Sequence, residues 1–134
     1  MLPNRSIPHA TVIPELAYPE VTEAARSLCE AFGFTVRLRI ANHRIQLNVG
    51  DGAVVVTETS GDAQKSAVLV RVADVDSHHA RAMRAGARIL GAPTTHPFGE
   101  RQYGAEDLAG HRWTFSQSVA DVAPEAWGGT AENL

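Results

Sequence analysis

Cysteine is nearly absent from this 134-residue chain: Cys29 stands alone, so no internal disulfide can form and no thiolate cluster can be built. That usage fits a reducing compartment, and the expected location is the cytoplasm. A basic excess is missing too. With 12 Lys and Arg against 15 Asp and Glu, the formal charge is -3, whereas a binder of phosphate backbones carries a basic stripe. Nucleic acid is therefore not an expected partner. No segment approaches the roughly 18 consecutive apolar residues of a membrane helix, and the opening MLPNRSIPHATVIPEL has no apolar signal core. Neither a membrane nor an export signal is expected. The six histidines include no HxH, HxxxH or HExxH spacing, which removes the common local metal motifs. Surface or loop positions are expected for them. What remains is ordinary for one folded domain, 44% apolar and 20% charged, long enough to bury a core without a disulfide or structural metal.

The clearest helix runs from Glu20 to Phe32, where Val21, Ala24, Ala25, Leu28, Cys29 and Phe32 recur on one face and Gly33 supplies a stop. Cys29 thus reads as an inert buried thiol, with no electropositive neighbour in view to activate it. TVIPELAY before the helix has strand composition interrupted by Pro14. FTVRLRI, RIQLNVG and AVVVTET follow as strands separated by the turn signals ANH and GDG. The second half opens with the strand AVLVRV. A helix follows over Val75 to Ala85, with Asp74 or Asp76 as N-cap and Gly86 at its end. ARILGAP, ERQYGAED and HRWTFSQS complete it as strands. Each half reads β-α-β-β-β. An offset of 54 places Tyr18 to Val21 on Val72 to Val75, and near the module ends an offset of 58 places Gly52 on Gly110 and Val56 on Thr114. Two similar stacked modules are expected: module one over about 10–59, a linker over 60–66, module two over about 67–118 and a C-terminal tail over 119–134, in which Trp127 anchors a short turn.

Two paired modules of this order, together with AYPEVTEAARSLCEAFGF and the late YGAEDLAGHRW, resemble the vicinal-oxygen-chelate superfamily of glyoxalase I, bleomycin-resistance proteins and extradiol dioxygenases. The first string is similar to that family's strand-turn-helix opening. AEDLAGHRW is similar to its Asp-Pro-Asp-Gly turn, with Asp107 and Gly110 retained and Leu108 and Ala109 departing. The resemblance covers about residues 10–118. It implies an α+β fold in which two tandem βαβββ modules form a cupped mixed sheet around a cavity, with helices on the outer face. In metal-dependent members, four ligands sit in the first and last strand of each module. Those positions register here on Ile13, Val56, Ala67 and Thr114, none of which offers a carboxylate, imidazole or thiolate. No family-type metal site and no cofactor are expected.

If those four residues face inward, strand alternation adds Glu15, Val54, Glu58, Leu69, Arg71, Arg112 and Ser116 to the cavity face. Val12, Leu16, Tyr18, Val55, Val68, Val70, Val72, Trp113 and Phe115 then face the helices. Glu15, Glu58, Arg71 and Arg112 read either as a structural ion-pair network at the rim or as ligand contacts. Arg101 could grip a carboxylate or phosphate, and Tyr103 could stack or donate beside it. The candidate ligand-binding set is therefore Glu15, Glu58, Arg71, Arg101, Tyr103, Arg112 and Thr114; no catalytic residue is assigned. The function the resemblance implies is metal-independent binding of a small, partly polar organic molecule by a homodimer. The alternative is a glyoxalase-like lyase or isomerase, a hydrolase or a dioxygenase-type enzyme, with Glu58 or Glu15 as general base near Arg71 or Arg112 in its metal-free form.

Overall fold

Aromatic side chains decide how the two halves meet. Phe32, at the end of the first helix, lies with ring centroids 5.9 Å from Trp113 and 4.8 Å from Phe115, both on the last strand of the second half. Phe34 stands 5.3 Å from Trp113. These contacts, observed in a computed structural model that describes residues 2–59, 61 and 64–134, merge the two module cores into one cluster. Of the expected linker, Ser60, Asp62 and Ala63 lie outside the described residues.

The first module comprises β1 (Glu15–Tyr18), α1 (Val21–Phe32), β2 (Thr35–Ile40), β3 (Arg44–Val49) and β4 (Gly52–Glu58). The second comprises β5 (Ala67–Arg71), α2 (Val75–Arg84), β6 (Arg88–Thr95), β7 (Glu100–Glu106) and β8 (Arg112–Ser118), followed by a 3-10 turn at Pro124–Trp127. Trp127 packs on Phe98 with centroids 5.4 Å apart. Each module forms an open four-stranded mixed sheet, in the orders β1-β4-β3-β2 and β5-β8-β7-β6. The first strand runs parallel to the fourth, and every other pairing is antiparallel. The helices cover one face of the sheets and touch each other, and the opposite faces carry no helix.

Local chemistry explains the helix ends. Gly33 adopts φ 79°, and its N–H closes onto the Cys29 carbonyl, a left-handed stop that glycine enters without a Cβ penalty. Asp74 caps α2 by accepting the Ser77 N–H at 3.1 Å. Asp76, the other candidate cap, sits in the first turn and is engaged elsewhere. Cys29 is partly buried against the core, and that burial pushes its thiol up.

The expected facing of β4 is corrected by one residue. Glu15 pairs with Val55 and Leu16 with Val56, while Leu69 pairs with Thr114. Thr114 therefore corresponds to Val55, at an offset of 59, and not to Val56. Turn length is the cause. The β3–β4 hairpin closes from Val49 to Gly52, whereas beyond β7 the Asp107 N–H reaches across to the His111 carbonyl at 3.0 Å, a loop one residue longer. Because side chains alternate, a one-residue slip turns a whole strand over. Val54 and Val56 pack in the helix-side core, Val55 faces away from it, and Glu58 pairs with Tyr18. Val12, expected in the core, is 77% exposed because β1 begins only after Pro14.

The longer loop also pins the modules together. Asp107 accepts the Ala109 and His111 N–H groups at 3.1 and 3.0 Å through one oxygen. Through the other it accepts the Tyr18 hydroxyl at 2.5 Å and the Trp113 indole N–H at 2.9 Å. Burial first, then the Asp107 charge, pushes the Tyr18 phenol far up and keeps it a donor. His111 sits beside the turn as expected but is 1% exposed. Its Nδ1 accepts the Ser66 N–H at 2.9 Å, so Nε2 carries the proton and donates to the Ala17 carbonyl at 2.8 Å. Asp107 and His111 thus both belong to the joint between modules.

Candidate functional site

The open face of the second sheet can be read row by row, because residues paired across strands share a face. One row runs Leu69–Thr114–Gly104–Gly91, and the next runs Arg71–Ser116–Gln102–Thr94. Beyond them Ser118 pairs with Glu100. The first row is low and apolar. Leu69 is 66% exposed, and the register shift between Ile89 and Gly91 brings Leu90, 43% exposed, beside Gly104. A hollow of about 240 Å³ lies over the Thr114–Gly104–Gly91 end of this row, bounded also by Ala92, Thr94, His96, Gln102 and Tyr103.

The neighbouring rows are polar and connected. Ser116 donates to Glu100 at 2.7 Å and receives the Gln102 amide N–H at 3.0 Å. Arg71 donates to the Ser118 hydroxyl. Bonds from Ser118 and Ser116, with the field of Arg71 behind them, hold the Glu100 carboxyl below its ordinary range. This makes a fixed, ionised rim beside an apolar floor, an arrangement suited to orienting a small molecule.

The structure divides the expected site residues. Thr114, Arg112 and Arg71 share the open face of the second sheet. Arg101 and Tyr103 do not. They pair with Gln117 and Phe115, and Phe115 is a core residue, so both face the helices. Arg101 grips Asp76 with two bonds of 3.0 Å. Tyr103 is 2% exposed, and burial pushes its phenol up. Its hydroxyl lies 2.6 Å from His78 Nδ1, and His78 Nε2 lies 2.9 Å from the Phe32 carbonyl. A carbonyl can only accept, so Nε2 donates and Nδ1 receives the phenol proton. His78 is thus a half-buried link between modules, another departure from the expected surface histidines. Glu15 lies on the other module's open face, ion-paired with Arg44. Glu58 is exposed on the helix-side register of β4.

Sequence reasoning missed Glu100, Gln102 and Ser118 as parts of one network. The signal was available in strand parity. Ser116 and Ser118 follow Thr114 at steps of two, and Glu100 and Gln102 alternate with the helix-facing Arg101 and Tyr103.

The first sheet's open face is occupied by the chain itself. Gln46 donates its amide to the Ser6 carbonyl at 2.9 Å, and Arg37 donates to the Arg5 carbonyl at 2.9 Å and to Gln46 at 2.6 Å. Pro8 is buried in the same arm. Gln46 and Val55, paired on this face, are 2% and 1% exposed. A larger cleft, about 460 Å³, is on the helix side between α1 and the segments 85–88 and 106–108. Its charges are paired among themselves, Arg26 with Glu23 and Arg88 with Glu106.

The residues present do not fit a divalent metal. With the register corrected, the family-type positions are Ile13, Val55, Ala67 and Thr114, which supply one hydroxyl and no strong ligand. Among the described residues no three His, Cys, Asp or Glu side chains converge, and no step is derived through a metal. No helix is long and apolar enough to cross a membrane.

Comparison with known proteins agrees with this architecture. The model of the glyoxalase/bleomycin resistance protein/dioxygenase superfamily matches residues 6–115. TioX from Micromonospora sp. ML1 is 35% identical, with a TM-score of 0.75 over 80% of this chain and 97% of that one. A lactoylglutathione lyase from Agrobacterium tumefaciens, at 14% identity, superposes with a TM-score of 0.68 over 90% of this chain and 98% of its own. A glyoxalase-related enzyme from Fulvimarina pelagi, at 17% identity, gives 0.66 over 81% and 88%. These last two likenesses are of fold alone. No curated protein matches the sequence.

Proposed function

The chain belongs to the glyoxalase/bleomycin resistance protein/dioxygenase superfamily, and from that premise we propose that it binds a small, partly polar organic molecule, without a metal ion, on the open face of its second sheet. The observation that carries this reading is the hollow floored by Thr114, Gly104 and Gly91 beside the bonded Arg71–Ser118 and Glu100–Ser116–Gln102 groups. Floor and rim supply apolar contact and fixed polar contacts together. A homodimer fits the same surface, since a second copy would cover Leu69 and Leu90, two large apolar side chains exposed on this one face. A cytoplasmic location fits the single thiol.

The enzymatic alternative finds less support. The carboxylate bonded into the polar rim, Glu100, is held ionised, which weakens it as a general base, and Glu15 and Glu58 lie away from this face.

A fragment screen followed by amide chemical-shift mapping tests the proposal. Ligands that stabilise the protein are expected to move the Gly91, Gln102, Gly104 and Thr114 signals. Hits clustering in the helix-side cleft or on the N-terminal arm would sink it. Near-stoichiometric zinc, iron, manganese or nickel in native mass spectra would overturn its metal-free part.

A further inference from the structure

The chemistry of the ligand follows from which hydrogen-bonding capacities on the open face are already filled. Glu100 is served by two hydroxyls, those of Ser116 and Ser118, and Ser116 and Gln102 are bonded to each other. The Glu100 carboxylate therefore has donors, whereas the neutral Gln102 amide oxygen receives none among the described residues. Arg71 is different. A guanidinium carries five N–H donors in a planar fork, and the Ser118 hydroxyl takes a bond from only one Arg71 nitrogen. Among the described residues no carboxylate lies within ion-pairing distance of Arg71 or Arg112. Both are exposed on this face, two residues to either side of the Leu69–Thr114 row: Arg112 pairs with Ala67, and Arg71 with Ser116. Unfilled capacity is thus concentrated in donors of positive charge. Between them the floor is flat, because Gly104 and Gly91 bring no side chain and Leu69 and Leu90 flank them.

We infer that the ligand is a planar, aromatic carboxylate, its ring lying on the Gly104–Gly91 floor and its anionic group held in the Arg71 fork. The inference rests on the binding reading above and names the ligand class for that site. Arg71 is already braced by Ser118, so little side-chain freedom is lost when the second bond forms. A bidentate guanidinium–carboxylate contact favours an acid over a neutral molecule of the same ring. An amine of that ring would meet two cations, with only the neutral Gln102 oxygen and carboxylates already engaged, Glu100 by Ser116 and Glu106 by Arg88, to compensate.

Gly91 provides a clean probe of occupancy. A Cβ built there meets no heavy atom within 4 Å, and its φ is not positive, so a larger residue intrudes on the hollow and leaves the backbone unstrained. The experiment is an amide-detected titration of the intact protein with three probes sharing one ring system: 2-naphthoate, 2-naphthylmethanol and 2-naphthylmethylammonium. The acid is expected to bind about tenfold tighter than the alcohol, with the ammonium weakest. Arg71→Gln should cost the acid about tenfold and leave the alcohol within about twofold. Gly91→Val should weaken both by about tenfold or more.

If the ammonium binds as tightly as the acid, or Arg71→Gln spares the acid, the ligand class is wrong; blocking by Gly91→Val would then still uphold the site. If Gly91→Val affects no probe, or none shifts an open-face amide at millimolar concentration, the site reading falls and the ligand class with it. Dimer dissociation on Gly91→Val with no probe response would show a second copy filling the hollow, overturning both.

Discussion

Gln46 and Gly104 occupy matching places in the two modules, as do Val55 and Thr114, yet they live in different surroundings. Gln46 and Val55 are 2% and 1% exposed because the Arg5–Ser6 arm lies across their sheet. Gly104 and Thr114 stand at the floor of an open hollow. The scaffold is duplicated and its outer surfaces are not. One module has its polar face satisfied internally, by Arg37 and Gln46 bonding the arm's carbonyls; the other leaves donors and apolar surface available. A repeated fold can thus cover one half's face with the chain's own segment and leave the other half's face open.

The comparison breaks most severely at the hairpins. Asp107 satisfies four donors, two of them the side chains of Tyr18 and Trp113, which are 1% and 0% exposed. Its counterpart turn at Gly50 and Asp51 has nothing comparable, and Asp51 is exposed. Asp107→Ala strands two buried donors and unlinks the modules, so a loss of about 3–5 kcal/mol is expected in urea unfolding. Asp51→Ala should stay within about 0.5 kcal/mol. Equal effects of the two changes would mean that the longer loop is not the joint.

A smaller effect is expected from stripping the first face bare. Removing residues 2–9 deletes the Ser6 and Arg5 carbonyls that accept from Gln46 and Arg37 and uncovers their sheet face, costing about 1–3 kcal/mol. Amide exchange should quicken along β3 and β4 and stay unchanged along β7 and β8. Uniform quickening across both sheets would show that the arm stabilises the whole molecule and not one face.

How legible this was differs by level. Element order, both helices and the repeat follow from hydrophobic period and turn residues, which are local properties of AARSLCEAF or RIQLNV. The facing of Thr114 and Arg112 also follows from alternation once Trp113 and Phe115 are assigned to the core. Facing failed where it depended on a turn: one extra residue between Asp107 and His111 shifted the repeat and turned Val54, Val56 and Glu58 over. Arg101 and Tyr103 were misread for a related reason. Their strand was expected but its facing was not assigned, and on β7 they stand in step with Phe115 on the helix side. The partners of His78 and His111 are contacts between modules, 46 and 94 residues away in sequence, and no local pattern encodes such distances.

His78 supplies the finest test, since it belongs to the joint and not to either face. Burial holds its pKa below the ordinary 6.5, with Arg81 adding to the effect and the Phe32 carbonyl opposing it. In the window between that lowered value and 6.5 the unfolded chain binds a proton that the folded one refuses. Stability therefore rises with pH across this window, is fully present above 6.5, and is lost as pH falls toward the folded value, below which this contribution levels off. Protonation at Nδ1 would also remove the acceptor of the Tyr103 hydroxyl. His78→Gln has no imidazole to titrate, so its urea midpoint should fall less steeply than that of the native protein between pH 7.5 and 5.5. Parallel curves for the two proteins would place the acid sensitivity elsewhere and leave His78 a neutral strut on which the joint does not depend for its pH response.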